Sequence, residues 1–318
     1  MKARIKPWQL AIALIGVCIA IIAALEWQQS TKIYDPATLL QCLPQDRSVH
    51  MYLDVDTLRS SGLLDLVAGS KASEEADYRR FVDSTGFDYR LDLDAVAAAF
   101  NGGNTYFAIR GHFEWDRLSS YALAQGGRCR NAICVMPAAE PHRFISFYLL
   151  KPDVLALAVS SDEGGIYMVA PAKWAHPPQV PAAALWISTP AYVYLDPAAL
   201  PEGTHAFLSP LAAAQNTTFS LGPASPGKVA MPGIDQGYVL RMEAKCGSAQ
   251  DAAGLSHRLD AATDLLRKML TRDKQTPHPG DLASVLVGGR FEVQQERVIA
   301  AWPIDGRFVQ SILAGKAD

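Results

Sequence analysis

The sixteen residues from Leu10 to Leu25 carry no charged side chain; Lys2, Arg4 and Lys6 precede them, and Trp8 and Trp27 stand at the two ends. As a helix this run rises about 24 Å, and the stretch from Pro7 to Trp27 about 31 Å, which matches the hydrocarbon thickness of a bilayer. Basic residues ahead of such a segment favour a cytoplasmic N-terminus, and indole rings suit the headgroup boundaries. The expectation is a transmembrane anchor over residues 1–27, in contact with the lipid bilayer through Leu10 to Leu25. The remaining chain would lie on the extracytoplasmic side, periplasmic or at the cell surface. A cleaved secretory signal begins in the same way, but its apolar core is usually shorter. Cleavage after Ala24 would leave Glu26 and the bulky Trp27 directly behind, with no Ala-x-Ala pattern. Cys18 follows Val17 and precedes more apolar chain, which does not suit a lipidation site. A core helix is the third reading, but this run has no polar face.

About 290 residues follow the anchor, enough for one large domain or two of ordinary size. A formal net charge of −3 and the lack of any Lys/Arg block argue against a nucleic-acid partner. Outside the anchor there are four cysteines, which allow three pairings. Cys129 and Cys134 sit in a short loop behind Gly126 and Gly127, so a local disulfide closes easily in an oxidising compartment. Cys42 with Cys246 is then the second expected bridge. Zinc ligation by the Cys129–Cys134 pair is disfavoured, because no second pair and no neighbouring histidine completes a set.

Two segments echo each other. Met51 to Leu58 (MYLDVDTL) recurs as Val193 to Leu200 (VYLDPAAL), each read as a short strand ending in an aspartate that leads into a helical stretch. Behind the first come a strand over Thr105 to Arg110, a helix from Trp115 to Ala124, and a hairpin of Arg143 to Leu150 with Val154 to Ser160. Behind the second come a strand over Gly237 to Glu243 and a helix from Asp251 to Arg272. A hairpin of Ala283 to Phe291 with Arg297 to Trp302 follows, and then a short helix over Gly306 to Ala314. In the long helix Leu255, Leu259, Ala262, Leu266 and Met269 recur at three- and four-residue steps, which marks one buried face. The first half carries extra helices, one ending at Gly86 and one expected behind Asp92–Asp94 that includes Val96 and Phe100. The fold class expected is α+β: after the transmembrane helix, two related units of mixed or antiparallel sheet with helices packed on one face. The boundaries read as 28–44 for a stalk, 45–175 for the first unit and 182–318 for the second.

The search for chemistry is short. Asp54 and Asp56 share a strand end, as paired carboxylates or calcium ligands would, but a helix cap explains Asp54 equally well. Asp83, Asp88, Asp92 and Asp94 form an acidic run without the glycine and closing glutamate of an EF-hand. Glu114 and Asp116 stand at a helix start, where they complement its dipole. His112 beside Glu114 is the nearest approach to a base–carboxylate pair. The other histidines show no zinc spacing, and neither a Gly-x-Ser-x-Gly elbow nor a Ser-x-x-Lys motif occurs. Asn101 to Asn104 reads as a turn and not a phosphate loop, and Asn216-Thr217-Thr218 matches a glycosylation acceptor. No catalytic, cofactor or metal residue is assigned. The expected role is non-catalytic binding or structure at the cell envelope. The alternatives are an enzyme of unfamiliar type using the acidic residues near the first strand, or a carrier of an apolar ligand.

Overall fold

Strands in which large and small apolar residues alternate build the centre of the molecule. In Val154–Ser160 the leucines 155 and 157 point one way and the alanines 156 and 158 the other. Because side chains on a strand alternate with period two, one face of the sheet carries bulk and the other a flat floor. The computed structural model describes residues 35–61, 64, 76–170, 178–195, 208–223, 237–272, 282–305 and 308. The expected membrane segment lies outside these. Among the described residues no helix is long and apolar enough to cross a membrane.

From Pro36 onward the chain forms one compact unit of mixed α+β structure, dominated by a large antiparallel sheet. The described strands, in chain order, begin with β1 (Val49–Asp54), β2 (Leu93–Asn101) and β3 (Asn104–Gly111). They continue with β4 (Arg128–Arg130), β5 (Ile133–Pro137), β6 (Phe144–Lys151) and β7 (Val154–Ser160). The second half supplies β8 (Leu185–Pro190), β9 (Ala214–Pro223), β10 (Gly237–Cys246), β11 (Arg290–Gln294) and β12 (Arg297–Asp305). Their spatial order is β11-β12-β10-β9-β8-β1-β2-β3-β7-β6-β5-β4. Outward from the central β1–β8 pair, β1-β2-β3-β7-β6 on one side faces β8-β9-β10-β12-β11 on the other. The two halves expected from the sequence therefore share one continuous sheet.

One face is covered by helices: α2 (Val55–Ser60), α3 (Ala76–Thr85), α5 (Trp115–Ala124), α7 (Ala249–Arg272) and α8 (Leu282–Val287). On α5, Leu118 and Ala122 pack with Phe147 and Leu155; on α7, Leu255 and Leu259 pack with Met242, Ala244 and Val298. Short helices α4 (Tyr89–Asp92) and α6 (Tyr192–Leu195) fill turns. Among the described residues the opposite face is covered only over the first half. There α1 (Pro36–Gln41) and the residues behind it bring Leu39, Leu40 and Leu43, all fully buried, onto β1, β2 and β3, where Ala97, Ala99 and Ala108 form an alanine floor. The floor continues on β7 as Ala156 and Ala158, where the 3-10 segment Glu163–Met168 covers it. Small side chains let the helix approach the strands closely, so this is packed core and not stalk. Only residues 28–34 of the expected stalk lie outside the described residues.

Several expectations are corrected. Leu93–Asn101 is a strand and not a helix: its alanines favour helix in isolation, but here they lie between β1 and β3 as the floor under α1. Val193 to Leu195 is helical; the strand of that half is β8, several residues earlier, so the octapeptide echo was out of register. Residues 282–287 form α8, and only Arg290–Gln294 pairs with β12. The expected C-terminal helix falls almost entirely outside the described residues. Cys129 and Cys134 are bonded, directly opposite each other in a β4–β5 hairpin whose turn, Asn131-Ala132, has positive φ. Cys42 and Cys246 are not bonded. Cys42 is buried beside the alanine floor, where its Sγ donates to the Thr38 carbonyl, while Cys246 is buried in the α7 core on the other face. With the sheet between them, and β10 three strands from β1, their separation far exceeds the roughly 7 Å limit for a disulfide.

The observed bridge closes a loop with a sequence separation of only five. Such a short loop removes little chain entropy, so replacing both cysteines by serine should cost about 2 kcal/mol. Denaturant unfolding of the double variant measures that loss.

Candidate functional site

The half of the sheet that α1 leaves uncovered is a concave, polar surface enclosing about 1000 Å³. Its side chains follow from strand register. Trp186, Ser220 and Arg241 form one row across β8, β9 and β10; Ser188, Thr218 and Glu243 form the next; Pro190, Asn216 and Lys245 form the third. Glu243 and Lys245 continue onto β12 as Ile299 and Arg297. The segment before β1, with Gln45 and Arg47, and residues 178–181 rim the cleft. The β9 sequence explains both faces at once: Asn216, Thr218 and Ser220 line the cleft, while Thr217, Phe219 and Leu221 face the helices.

Among the described residues four cations, Arg47, Arg241, Lys245 and Arg297, and one carboxylate, Glu243, line the cleft. Arg297 pairs with Glu243 at 2.6 Å. Ser188 and Asn216 are tied at 3.1 Å, and the Thr218 hydroxyl donates to the Glu243 carbonyl at 3.4 Å. His50 closes the inner end, its Nε2 lying 2.8 Å from the Pro44 carbonyl. Burial pushes the His50 imidazole below its usual pKa, the hydrogen bond to Pro44 only partly opposing this. The unfolded chain then binds the proton more tightly, so stability is full above about pH 6.5 and falls as the pH drops below it. Between about pH 7.5 and pH 5.5 the melting temperature should fall, and fall less in His50→Gln.

The carboxylates singled out from sequence and His112 lie outside the cleft; Asp56 and His112 lie close enough to Asp94 to act on its charge, alongside Arg59 and Arg110. The Asp54 carboxylate accepts from Thr57 N–H at 2.9 Å and caps α2, while Asp56 pairs with Arg59. Asp88, and not Asp92 or Asp94, caps α4, accepting from Arg90 N–H at 2.9 Å and from the Tyr78 hydroxyl at 2.8 Å. Asp92 accepts from the Asp88 N–H at 2.7 Å. Asp94 lies 3.7 Å from Arg110, its carboxyl raised by burial and by Asp56. Glu114 pairs with Arg117 at 3.0 Å, and the His112 N–H donates to the Asp92 carbonyl. Asp83 is exposed on α3. Among the described residues no three of His, Cys, Asp and Glu are grouped for a metal ion. Asn216 of the glycosylation motif sits inside the cleft. The cleft itself was missed because its cations are separated by as many as 250 positions. One local signal existed: Arg241, Glu243 and Lys245 alternate with Met242 and Ala244, placing three charges on one strand face.

A second cavity, between α7, α8 and the sheet, is lined by Leu240, Met242, Leu259, Val285, Phe291 and Trp302 and encloses about 160 Å³. That is close to the engineered cavity of about 150 Å³ that holds benzene. A cavity of that volume admits one small apolar group.

No protein family and no curated protein matches the sequence. Two solved chains are similar in structure. Crystal form III of TP0453 superposes with a TM-score of 0.47 at 13% identity, covering 87% of this chain and 98% of that one. Crystal form IV of TP0453 gives 0.43 at 10% identity, covering 87% and 96%.

Proposed function

We propose that this chain is a single-pass, membrane-anchored extracytoplasmic protein with a non-catalytic binding role at the cell envelope. Its ligand surface is the uncovered half of the sheet. The observation that carries the binding part is the cleft, formed from paired strands and lined by charged, hydroxyl and amide side chains. Supporting the location are the basic start, the apolar run from Leu10 to Leu25 and its flanking tryptophans. The Cys129–Cys134 bridge agrees with an oxidising compartment. The matching strand order on the two sides of the β1–β8 pair supports an origin by duplication of one α+β unit. In this reading the first copy acquired α1 as a cover and the second kept its face open.

Location is tested by fusing alkaline phosphatase, active only outside the cytoplasm, to the C-terminus of the full chain. The expected result is an active fusion that stays with the membrane after carbonate extraction. A fusion active only when the reporter is a cytosolic one refutes the topology. An active fusion released by carbonate refutes the anchor and leaves a cleaved signal.

A further inference from the structure

We infer that the cleft binds an anionic glycan, a hydroxyl-rich chain bearing carboxylates. The inference rests on the binding role proposed above and narrows it to one ligand class. The cleft is strongly cationic on a chain whose formal net charge is −3. Arg297 is engaged by Glu243, but Arg47, Arg241 and Lys245 have no ion pair among the described residues. Like charges gathered in a concavity repel one another and focus a positive field on whatever enters. An anionic occupant relieves that repulsion.

Spacing separates an extended ligand from a small ion. Arg241 and Lys245 lie four residues apart on one strand, roughly 13 Å. Arg47 precedes β1, which is three strands from β10, about 14 Å across the sheet. Their backbone spacing suits a chain with repeated charges, which can meet several of these cations at once. Between the cations stand Asn216, Thr218 and Ser220, neutral groups that donate and accept hydrogen bonds as a saccharide's hydroxyls require.

The floor also argues against a peptide. Strands β8, β9 and β10 are each paired on both sides, so no main-chain hydrogen bonds remain for an added strand. A flat bilayer surface is disfavoured as well, because Ser220 and Asn216 lie on a concave floor behind rims at residues 45–48 and 178–181.

The test uses the full-length protein in detergent micelles, with polygalacturonate fragments as the probe and neutral dextran and polyglutamate as comparators. Polygalacturonate should bind, and its binding should weaken with added salt. Arg241→Gln with Lys245→Gln should weaken it by about tenfold or more, and Arg47→Gln, on an exposed turn, in the same direction. Arg128→Gln with Arg130→Gln, on the distant edge strand β4, should leave it unchanged. Thermal melting of each variant confirms that it folds. Failure of polygalacturonate to bind, equal binding by the Arg241/Lys245 variant, or equally tight polyglutamate binding would each overturn the inference. Because binding is measured on purified protein, a negative result removes the ligand class without touching membrane location, which the phosphatase fusion decides.

Discussion

A chain shortened to begin at Pro36 should fold, and one shortened to begin at Gln45 should not. The nine residues between these ends look like linker by composition, yet Leu39, Leu40 and Leu43 are fully buried and Cys42 nearly so. Each buried leucine contributes about 1.5–3 kcal/mol, so losing three removes roughly 5–9 kcal/mol. That is most of the stability of an ordinary domain, about 5–15 kcal/mol. The loss would also uncover the part of the alanine floor on β2 and β3, exposing Ala97, Ala99 and Ala108 as a flat apolar patch. The measurement is soluble yield and cooperative denaturant unfolding of the two shortened chains. If the chain beginning at Gln45 unfolds with the same midpoint as the longer one, α1 is an ornament and the packing account is wrong.

The second large effect lies on α7. Leu255 is fully buried between α7, β10 and β12, whereas Leu265 on the same helix is 60% exposed. Truncating Leu255 to alanine removes its transfer free energy and leaves a cavity under a long helix that cannot easily collapse, a cost of about 2–5 kcal/mol. Leu265→Ala, at a surface position, should change stability by less than about 0.5 kcal/mol. Paired urea titrations read both values. Equal losses would mean that α7 is rotated relative to the sheet.

What was legible in the sequence followed the strength of local signals. The first two turns of the α7 stripe (Leu255 and Leu259), the helix Trp115–Ala124 and the hairpin of β6 with β7 came from clear periodicity, whereas Met269, expected to be buried, is 46% exposed and Thr263 is buried instead. The disulfide came from proximity alone. The reading failed where tertiary context outweighed local preference. Ala95 to Ala99 has the composition of a helix, but only a strand of small residues could accept α1 at close range. Leu185–Pro190 is short and lies among prolines, so its role as the partner of β1 at the centre of the sheet left no local trace. Ala214–Pro223 did carry an alternation of polar and apolar residues, and that period of two was the overlooked signal. The acidic residues drew attention because they cluster in sequence, yet capping, ion pairs and local hydrogen bonds absorb most of them. The cleft drew none because its cations meet only after the chain has folded.

The proposed display of an open cationic sheet face outside the cytoplasm makes a direct prediction. It is tested most directly by labelling single cysteines with a membrane-impermeant maleimide in cells whose cytoplasmic membrane is intact. In a Cys18→Ser background the native signal is low, since Cys42 and Cys246 are buried and Cys129 is bonded to Cys134. Thr218→Cys on the cleft floor should label without lysis, while Ala156→Cys, on the fully buried alanine floor, should label only after unfolding. A Thr218→Cys protein that stays unlabelled until the membrane is broken would contradict the location, and one that stays unlabelled until the protein is unfolded would contradict the open face.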